Sequence, residues 1–123
     1  MITLYGIKNC DTMKKAFQWL DEHGLEYTFH DYKKAGVSQE HLKLWARTVG
    51  WRSLINTRGT TWRSLPPEEQ TDLSPSKAIQ LMVRHPSLIR RPVLVVGEQI
   101  VLGFDPAVFV SVLRPYLTEE PKA

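Results

Sequence analysis

Cys10 is a side chain whose type and setting predict nucleophilic chemistry. It follows a short apolar run and a loop, and it directly precedes residues with the spacing of an amphipathic helix. At a helix N-terminus the first backbone N–H groups lack intrahelical partners, and the helix dipole supplies partial positive charge. Both favour the thiolate, which is the reactive form of cysteine. The alternative is a small buried apolar residue, but the polar residues around Cys10 argue against that.

Four neighbours of Cys10 are candidate binding residues for a substrate or for glutathione. They are Lys8, Asn9, Asp11 and Thr12. We expect Lys8 to favour the thiolate, Asp11 to oppose it, and the Thr12 hydroxyl to donate to the sulfur or to a bound anion.

Met13 stands where a two-cysteine redox motif would carry its second cysteine. The chain has one cysteine, so it forms no intrachain disulfide, which fits a reducing compartment. Methionine cannot attack a mixed disulfide. Any covalent intermediate on Cys10 must therefore be resolved by an outside thiol, and we expect that co-substrate to be glutathione.

The elements that position Cys10 begin with a β-α-β unit. Residues 2–5 predict a buried strand, and apolar residues at i, i+3, i+4 and i+7 predict a helix. Gly24 is a natural stop for that helix. Alternating apolar and polar residues over 25–30 predict a second strand, parallel to the first across a right-handed crossover.

The middle of the chain is predicted to be helical. Ser38 caps a helix that ends at Gly50, and residues 52–65 contain short helical pieces before a further turn at Pro66. Ser74 followed by a proline begins another helix, which stops before His85.

The last third predicts a β-hairpin and a helix. Residues 93–96 and 100–102 are β-branched runs separated by a turn at 97–99, and Asp105 caps a final helix. We therefore predict an α/β protein of thioredoxin-like fold, a βαβ–ββα mixed sheet with a helical insertion at about 38–86. One domain spans 1–117, and 118–123 is expected to be a flexible tail.

Arg91-Pro92 precedes the hairpin. Thioredoxin-like folds place a cis-proline there, facing the active cysteine. Arg91 would then project near Cys10 and hold an oxyanion or carboxylate with its planar fork. Arg90 and Pro92 join the candidate binding residues, and Arg63 could add a second cation. The alternative is a surface arginine before a trans-proline.

Composition excludes several other classes of function. The net charge of +3 is spread along the chain, so no nucleic-acid partner is expected. The four histidines lack metal-ligand spacing, and we expect no metal and no bound cofactor. No apolar stretch is long enough to span a membrane, and no signal peptide is evident. We expect a cytoplasmic monomer.

Three segments of the chain resemble the ArsC-like family: ITLYGIKNCDTMKKA (2–16), SLINTRGTTWRSL (53–65) and HPSLIRRPVLV (85–95). That family includes glutaredoxin-coupled arsenate reductases, Spx transcription regulators and small YffB-type proteins, and the chain looks most like the YffB-type proteins. The resemblance covers nearly the whole chain. It implies that Cys10 is the nucleophile, that Arg91 and Arg63 hold an oxyanion, and that Thr12 matches a threonine beside the nucleophile.

Two departures from the family's pattern bear on the substrate. The third arginine of the arsenate reductases falls near Phe104, and the histidine of some reductases falls at Gly6. Arsenate would lose part of its charge compensation. The resemblance therefore implies a glutathione-dependent thiol reductase acting on a disulfide or a small oxyanion, with arsenate in doubt.

Two other functions stay open. One is an Spx-like regulator that contacts RNA polymerase, although those sensors carry two cysteines in the first motif and this chain has Met13. The other is a catalytically inactive family member, in which Cys10 would alkylate no faster than a free thiol.

Overall fold

Four short strands form a mixed sheet in the order β2–β1–β3–β4. The strands are β1 (Ile2–Gly6), β2 (Thr28–Asp31), β3 (Val93–Val96) and β4 (Gln99–Leu102). β3 lies antiparallel to both of its neighbours, with Val96 opposite Ile2 of β1 and Val93 opposite Leu102 of β4. The last residues of β1 and the first residues of β3 therefore lie side by side at the same end of the sheet.

Eight helices accompany the sheet in residues 1–117, the part of the chain that this computed structural model describes. They are α1 (Asp11–Glu22), α2 (Tyr32–Ala35), α3 (Gln39–Val49), α4 (Trp51–Leu54), α5 (Thr60–Arg63), α6 (Pro67–Gln70), α7 (Pro75–Arg84) and α8 (Pro106–Leu113). Short 3-10 turns follow at Pro86–Leu88 and Arg114–Tyr116. This order confirms the predicted α/β, thioredoxin-like fold. The predicted tail, 118–123, lies outside the described residues.

The chain divides into two units, of which the first holds the sheet. Among the described residues, this sheet unit comprises Met1–His30 and 91–117. Apolar side chains from β1, β3, α1 and α8 form its core, including Ile2, Leu4, Met13, Ala16, Leu20, Leu94, Val96, Phe109 and Leu113. Burial of apolar surface stabilises a fold by about 25 cal/mol per Å². These residues therefore hold β1 and α1 in place, together with the connection that carries Cys10.

The second unit, Asp31–Arg90, is helical. α3 packs against α4 and α7 through buried side chains such as Leu42, Trp45 and Met82. A single antiparallel bridge joins Ile55 to Ile89. The predicted insertion at 38–86 falls inside this longer unit.

Three predicted helix caps are confirmed. Ser38 accepts a hydrogen bond from the His41 N–H at 3.0 Å, and Ser74 accepts one from the Lys77 N–H at 3.2 Å. Asp105 accepts one from the Ala107 N–H at 3.0 Å. Each side chain satisfies an N–H that the helix leaves without a partner.

The second strand begins later than the alternation from residue 25 predicts. Gly24, with φ of +66°, ends α1 and lets the Leu25 N–H donate to the Leu20 carbonyl at 3.1 Å. This contact and the Gly24 N–H bond to Asp21 at 3.0 Å form a Schellman cap. Because the cap uses the backbone of Leu25, β2 starts only at Thr28.

Two further details differ from the prediction. The hairpin turn has two residues, Gly97 and Glu98, rather than three, since Gln99 already pairs with Val96 in β4. The short helix α2 was not predicted, although Asp31 caps it by accepting from the Lys33 N–H at 2.9 Å. A four-residue helix contains too few positions for a periodic apolar pattern.

Candidate active site

Cys10 is the N-cap residue of α1. Its backbone is extended, with φ of −149° and ψ of 131°, and the helix begins at the next residue. The Cys10 carbonyl accepts the first intrahelical hydrogen bond from the Lys14 N–H at 2.9 Å. The N–H groups of Asp11, Thr12 and Met13 precede that bond and have no helical acceptor. The Cys10 sulfur therefore lies where an N-cap side chain accepts hydrogen bonds from the N–H groups of the first helical turn.

The pKa of the Cys10 thiol is lowered by its surroundings. Partial burial is the largest single influence and acts the other way, because it raises the pKa. Hydrogen bonding from the Met13 N–H, from the Arg91 side chain and from the Thr12 N–H, together with the Arg91 charge, outweighs it. Neither N–H has the full geometry of a side-chain capping bond. Their combined action on the sulfur, rather than one strong bond, stabilises the thiolate.

Arg91 reaches the sulfur from the segment that leads into β3. The Arg91–Pro92 peptide bond is cis, as predicted. Pro92 is buried, and its carbonyl accepts a hydrogen bond from the Gly103 N–H at 2.8 Å. This bond extends the β3–β4 pairing past Val93 and holds the residues beside Arg91 against the hairpin. Arg91 thus acts on the Cys10 sulfur, and its catalytic role stays a prediction.

The flanking polar residues contribute less to the thiol than their positions predict. Lys8, Asn9 and Asp11 are exposed, and neither Lys8 nor Asp11 is among the causes of the lowered pKa of Cys10. The Lys8 carbonyl accepts a hydrogen bond from the Cys10 N–H at 3.2 Å. Thr12 acts on the sulfur through its backbone N–H. The three exposed side chains thus remain available to a ligand.

Arg63 and Arg90 lie in the helical unit and make contacts of their own there. Arg63 Nη1 donates to the Arg58 carbonyl at 2.6 Å. Arg90 Nε donates to the Ser53 carbonyl at 2.9 Å, and the Arg90 N–H donates to the Leu54 carbonyl at 2.8 Å. Both side chains are also exposed, so their role in substrate binding stays a prediction.

Sequence reasoning missed the part that Met13 plays. It treated this residue as ordinary helix core, which its complete burial confirms, but its N–H also acts on the Cys10 sulfur. The signal was present, because an N-cap side chain accepts from the second or third residue of its helix. Thr12 and Met13 hold those two positions after Cys10.

A metal site and a membrane-spanning helix find no support in residues 1–117. This part of the chain contains no cluster of three or more histidine, cysteine or acidic side chains that could hold a metal ion. None of its helices combines the length and apolar character needed to cross a membrane.

The chain is similar in sequence and structure to several known proteins. The model of the ArsC family matches residues 5–111. A solved structure named YFFB protein is 49% identical with a TM-score of 0.90, covering 92% of this chain and 99% of its own. An arsenate reductase (ArsC) related protein from Brucella melitensis is 46% identical with a TM-score of 0.72, covering 92% and 94%. The global transcriptional regulator Spx of Streptococcus mutans is 30% identical over 85% of this chain and 77% of its own.

Proposed function

Because this chain belongs to the ArsC family, we propose that it is a glutathione-dependent thiol–disulfide oxidoreductase with Cys10 as its nucleophile. One observation carries the proposal: the Cys10 sulfur lies at the N-cap of α1, only partly buried, with its pKa lowered by Arg91 and by the first N–H groups of the helix. A larger thiolate fraction at neutral pH means faster attack on a disulfide.

The reaction consists of two thiol–disulfide exchanges. In the first, the Cys10 thiolate attacks the glutathione sulfur of a mixed disulfide between glutathione and a substrate thiol. The substrate leaves as a thiolate and takes up a proton, and a disulfide joins Cys10 to glutathione. In the second, the thiolate of another glutathione attacks that disulfide, which releases Cys10 and forms oxidised glutathione. Over the two steps one glutathione thiol is consumed: its sulfur is oxidised to the disulfide level while the substrate sulfur is reduced to a thiol, and the glutathione of the original mixed disulfide leaves as the other half of oxidised glutathione.

The residues around Cys10 have different proposed roles in this reaction. Sulfur carries negative charge whenever Cys10 attacks or leaves, and the N–H groups of Thr12 and Met13 stabilise that charge together with Arg91. Exposed Lys8 and Asn9, with the backbone beside Pro92, are proposed to hold glutathione. Arg63 and Arg90 are proposed as further contacts for its carboxylates.

Met13 decides how the intermediate is resolved. It is fully buried at the position of a resolving cysteine, and Cys10 is the free cysteine of the chain. The resolving thiol must then come from solution. This requirement favours the cytoplasm, where reduced glutathione is abundant and thiols are kept reduced.

Arsenate is a less suitable substrate for this site. The position near which arsenate reductases have a third arginine holds Phe104, whose ring packs edge-on against Phe109 with centroids 5.0 Å apart. A phenyl group in that packing supplies no positive charge to an oxyanion. Reduction of arsenate is therefore the alternative outcome of the activity test.

Mass spectrometry after treatment with oxidised glutathione tests the proposed function. We expect one glutathione adduct on Cys10, its release by excess reduced glutathione, and no adduct on a Cys10→Ser variant. Turnover is then measured with a glutathionylated peptide and, in parallel, with arsenate. A wild-type protein that forms no adduct, or one whose adduct resists reduced glutathione, would refute the proposal.

A second candidate function is regulation through a protein partner. The observation in its favour is the 30% identity to the regulator Spx of Streptococcus mutans. Under this function RNA polymerase would co-purify with the chain, and Cys10→Ser would not weaken the complex. Under the proposed enzymatic function, Cys10→Ser abolishes turnover and no polymerase complex forms.

A further inference from the structure

Gly6, the last residue of β1, lies against the side chain of Met13 in α1. Gly6 is buried, and a Cβ atom added to it would overlap Met13 Sδ and lie 2.7 Å from Met13 Cε. The backbone of Gly6 does not have a positive φ. Lack of space, rather than backbone conformation, therefore keeps a side chain out of residue 6.

Met13 has little freedom to move away. Its side chain is fully buried among the core residues of the sheet unit, which include Leu4 of β1 and Leu94 of β3. A methionine is flexible, but in a closely packed core each alternative rotamer needs volume that neighbouring atoms already occupy. Any shift of its Sδ and Cε, the flexible end of the side chain, must therefore be accommodated by the surrounding core and by α1 itself.

The backbone at residue 13 is also part of the site. Met13 is the third residue of α1, and its N–H belongs to the first turn, which faces the N-cap sulfur of Cys10. The same residue thus anchors the helix in the core through its side chain and acts on the nucleophile through its backbone N–H.

We infer that the close packing of Gly6 against Met13 sets the first turn of α1 relative to the Cys10 sulfur, which makes both of them positioning residues for the nucleophile. Gly6 touches neither the sulfur nor a substrate in this role and acts through Met13. The inference deepens the proposed function, on which it rests, because thiolate stability sets the rate of the first exchange.

A double-mutant cycle on the thiol itself tests this inference. The variants are Gly6→Ala, Met13→Ala and the double variant, and the readout is the rate of iodoacetamide alkylation of Cys10 against pH. Gly6→Ala should slow alkylation about tenfold at a pH below the midpoint, because the displaced turn stabilises the thiolate less. Met13→Ala should slow it about threefold through loss of the contact. In the double variant the alanine at residue 6 occupies the vacated space, and the rate should return to within about twofold of wild type.

Two controls separate positioning from general destabilisation. Leu20→Ala removes a fully buried side chain from α1 more than two turns after Cys10, so it should lower thermal stability and leave alkylation unchanged. If Gly6→Ala does not fold, the comparison of Met13→Ala with the double variant still decides, because only the double variant should approach the wild-type rate.

Several results would overturn the inference. These are a folded Gly6→Ala protein with wild-type alkylation, single effects that simply add in the double variant, or a double variant no faster than Met13→Ala. The alkylation assay uses no glutathione. A failure of glutathione turnover with the expected alkylation pattern would therefore refute the proposed function and leave the inference standing.

Discussion

The sheet unit and the helical unit use their positively charged side chains for different purposes. In the sheet unit, Arg91 interacts with the Cys10 sulfur and helps to hold it as a thiolate. In the helical unit, three cations donate instead to backbone carbonyls: Arg63 to Arg58, Arg90 to Ser53, and Lys77 to Glu68 and Thr71. Arg84 of the same unit pairs with the Glu69 carboxylate. Similar side chains therefore serve reactivity in one unit and support the backbone in the other.

The difference follows from how each unit satisfies its backbone. In the sheet unit, the ladders of β3 with β1 and β4 pair strand carbonyls with strand N–H groups. The helical unit includes α4, α5 and α6, which have four residues each, and so short a helix leaves its last carbonyls without internal donors. Side-chain donors satisfy some of them. A cation close in sequence to a predicted site is thus not necessarily a substrate ligand.

The largest expected effect tests the backbone support in the helical unit. Gln70 Nε2 donates to the carbonyls of Trp62 at 3.0 Å and Leu65 at 2.9 Å. Gln70→Glu replaces that donor by a carboxylate oxygen that faces two acceptors, and it should lower the free energy of unfolding by about 2 kcal/mol. Urea denaturation measures this change.

A matched control uses an exposed glutamine. Gln80→Glu on α7 makes the same change from amide to carboxylate at an exposed position. Its free energy of unfolding should stay within about 0.5 kcal/mol of wild type. Equal stability of the two variants would contradict the backbone role of Gln70. Neither variant should alter alkylation of Cys10.

The next effect compares arginines from the two units. Arg91→Ala removes a hydrogen bond and a positive charge from the Cys10 sulfur, so it should raise the pKa of the thiol and slow alkylation near neutral pH about tenfold. Arg63→Ala should leave the pKa of Cys10 unchanged, since Arg63 is not among the groups that lower it. Alkylation rates across a pH series distinguish the two variants.

Arg91→Lys sharpens this comparison, because it keeps the charge and loses the planar fork. A rate between those of wild type and Arg91→Ala is expected. If Arg63→Ala slowed alkylation as much as Arg91→Ala, the division of roles between the two units would be wrong.

The smallest effect concerns a helix cap. Ser74→Ala removes the acceptor of the Lys77 N–H and should cost about 1 kcal/mol of stability. Ser76→Ala, inside the same helix and exposed, is the control and should have little effect. Thermal unfolding of both variants measures the difference, and a Ser74→Ala protein as stable as Ser76→Ala would contradict the capping role.

Local chemistry made much of the sheet unit predictable. The spacing of an amphipathic helix, a glycine that ends a helix and a two-strand hairpin are patterns of neighbouring residues, and they located Cys10, Gly24 and the turn at Gly97. The cis bond before Pro92 followed from the thioredoxin-like fold once the order of elements along the chain was predicted.

Contacts between residues distant in sequence could not be predicted in this way. The bond from Arg90 to Ser53 joins residues 37 positions apart, and the tight approach of Gly6 to Met13 depends on how α1 packs on β1. Both are set by tertiary packing, on which single-residue preferences carry no information.

The pH dependence of Cys10 alkylation tests the central claim most directly. A lowered pKa means that the alkylation rate, which follows the thiolate, rises with pH and levels off earlier than for a free cysteine. We predict a midpoint below about 8.5, the value of an unperturbed thiol, in the wild-type protein, and a higher midpoint in Arg91→Ala. A wild-type midpoint at or above that value would contradict the assignment of Cys10 as an activated nucleophile.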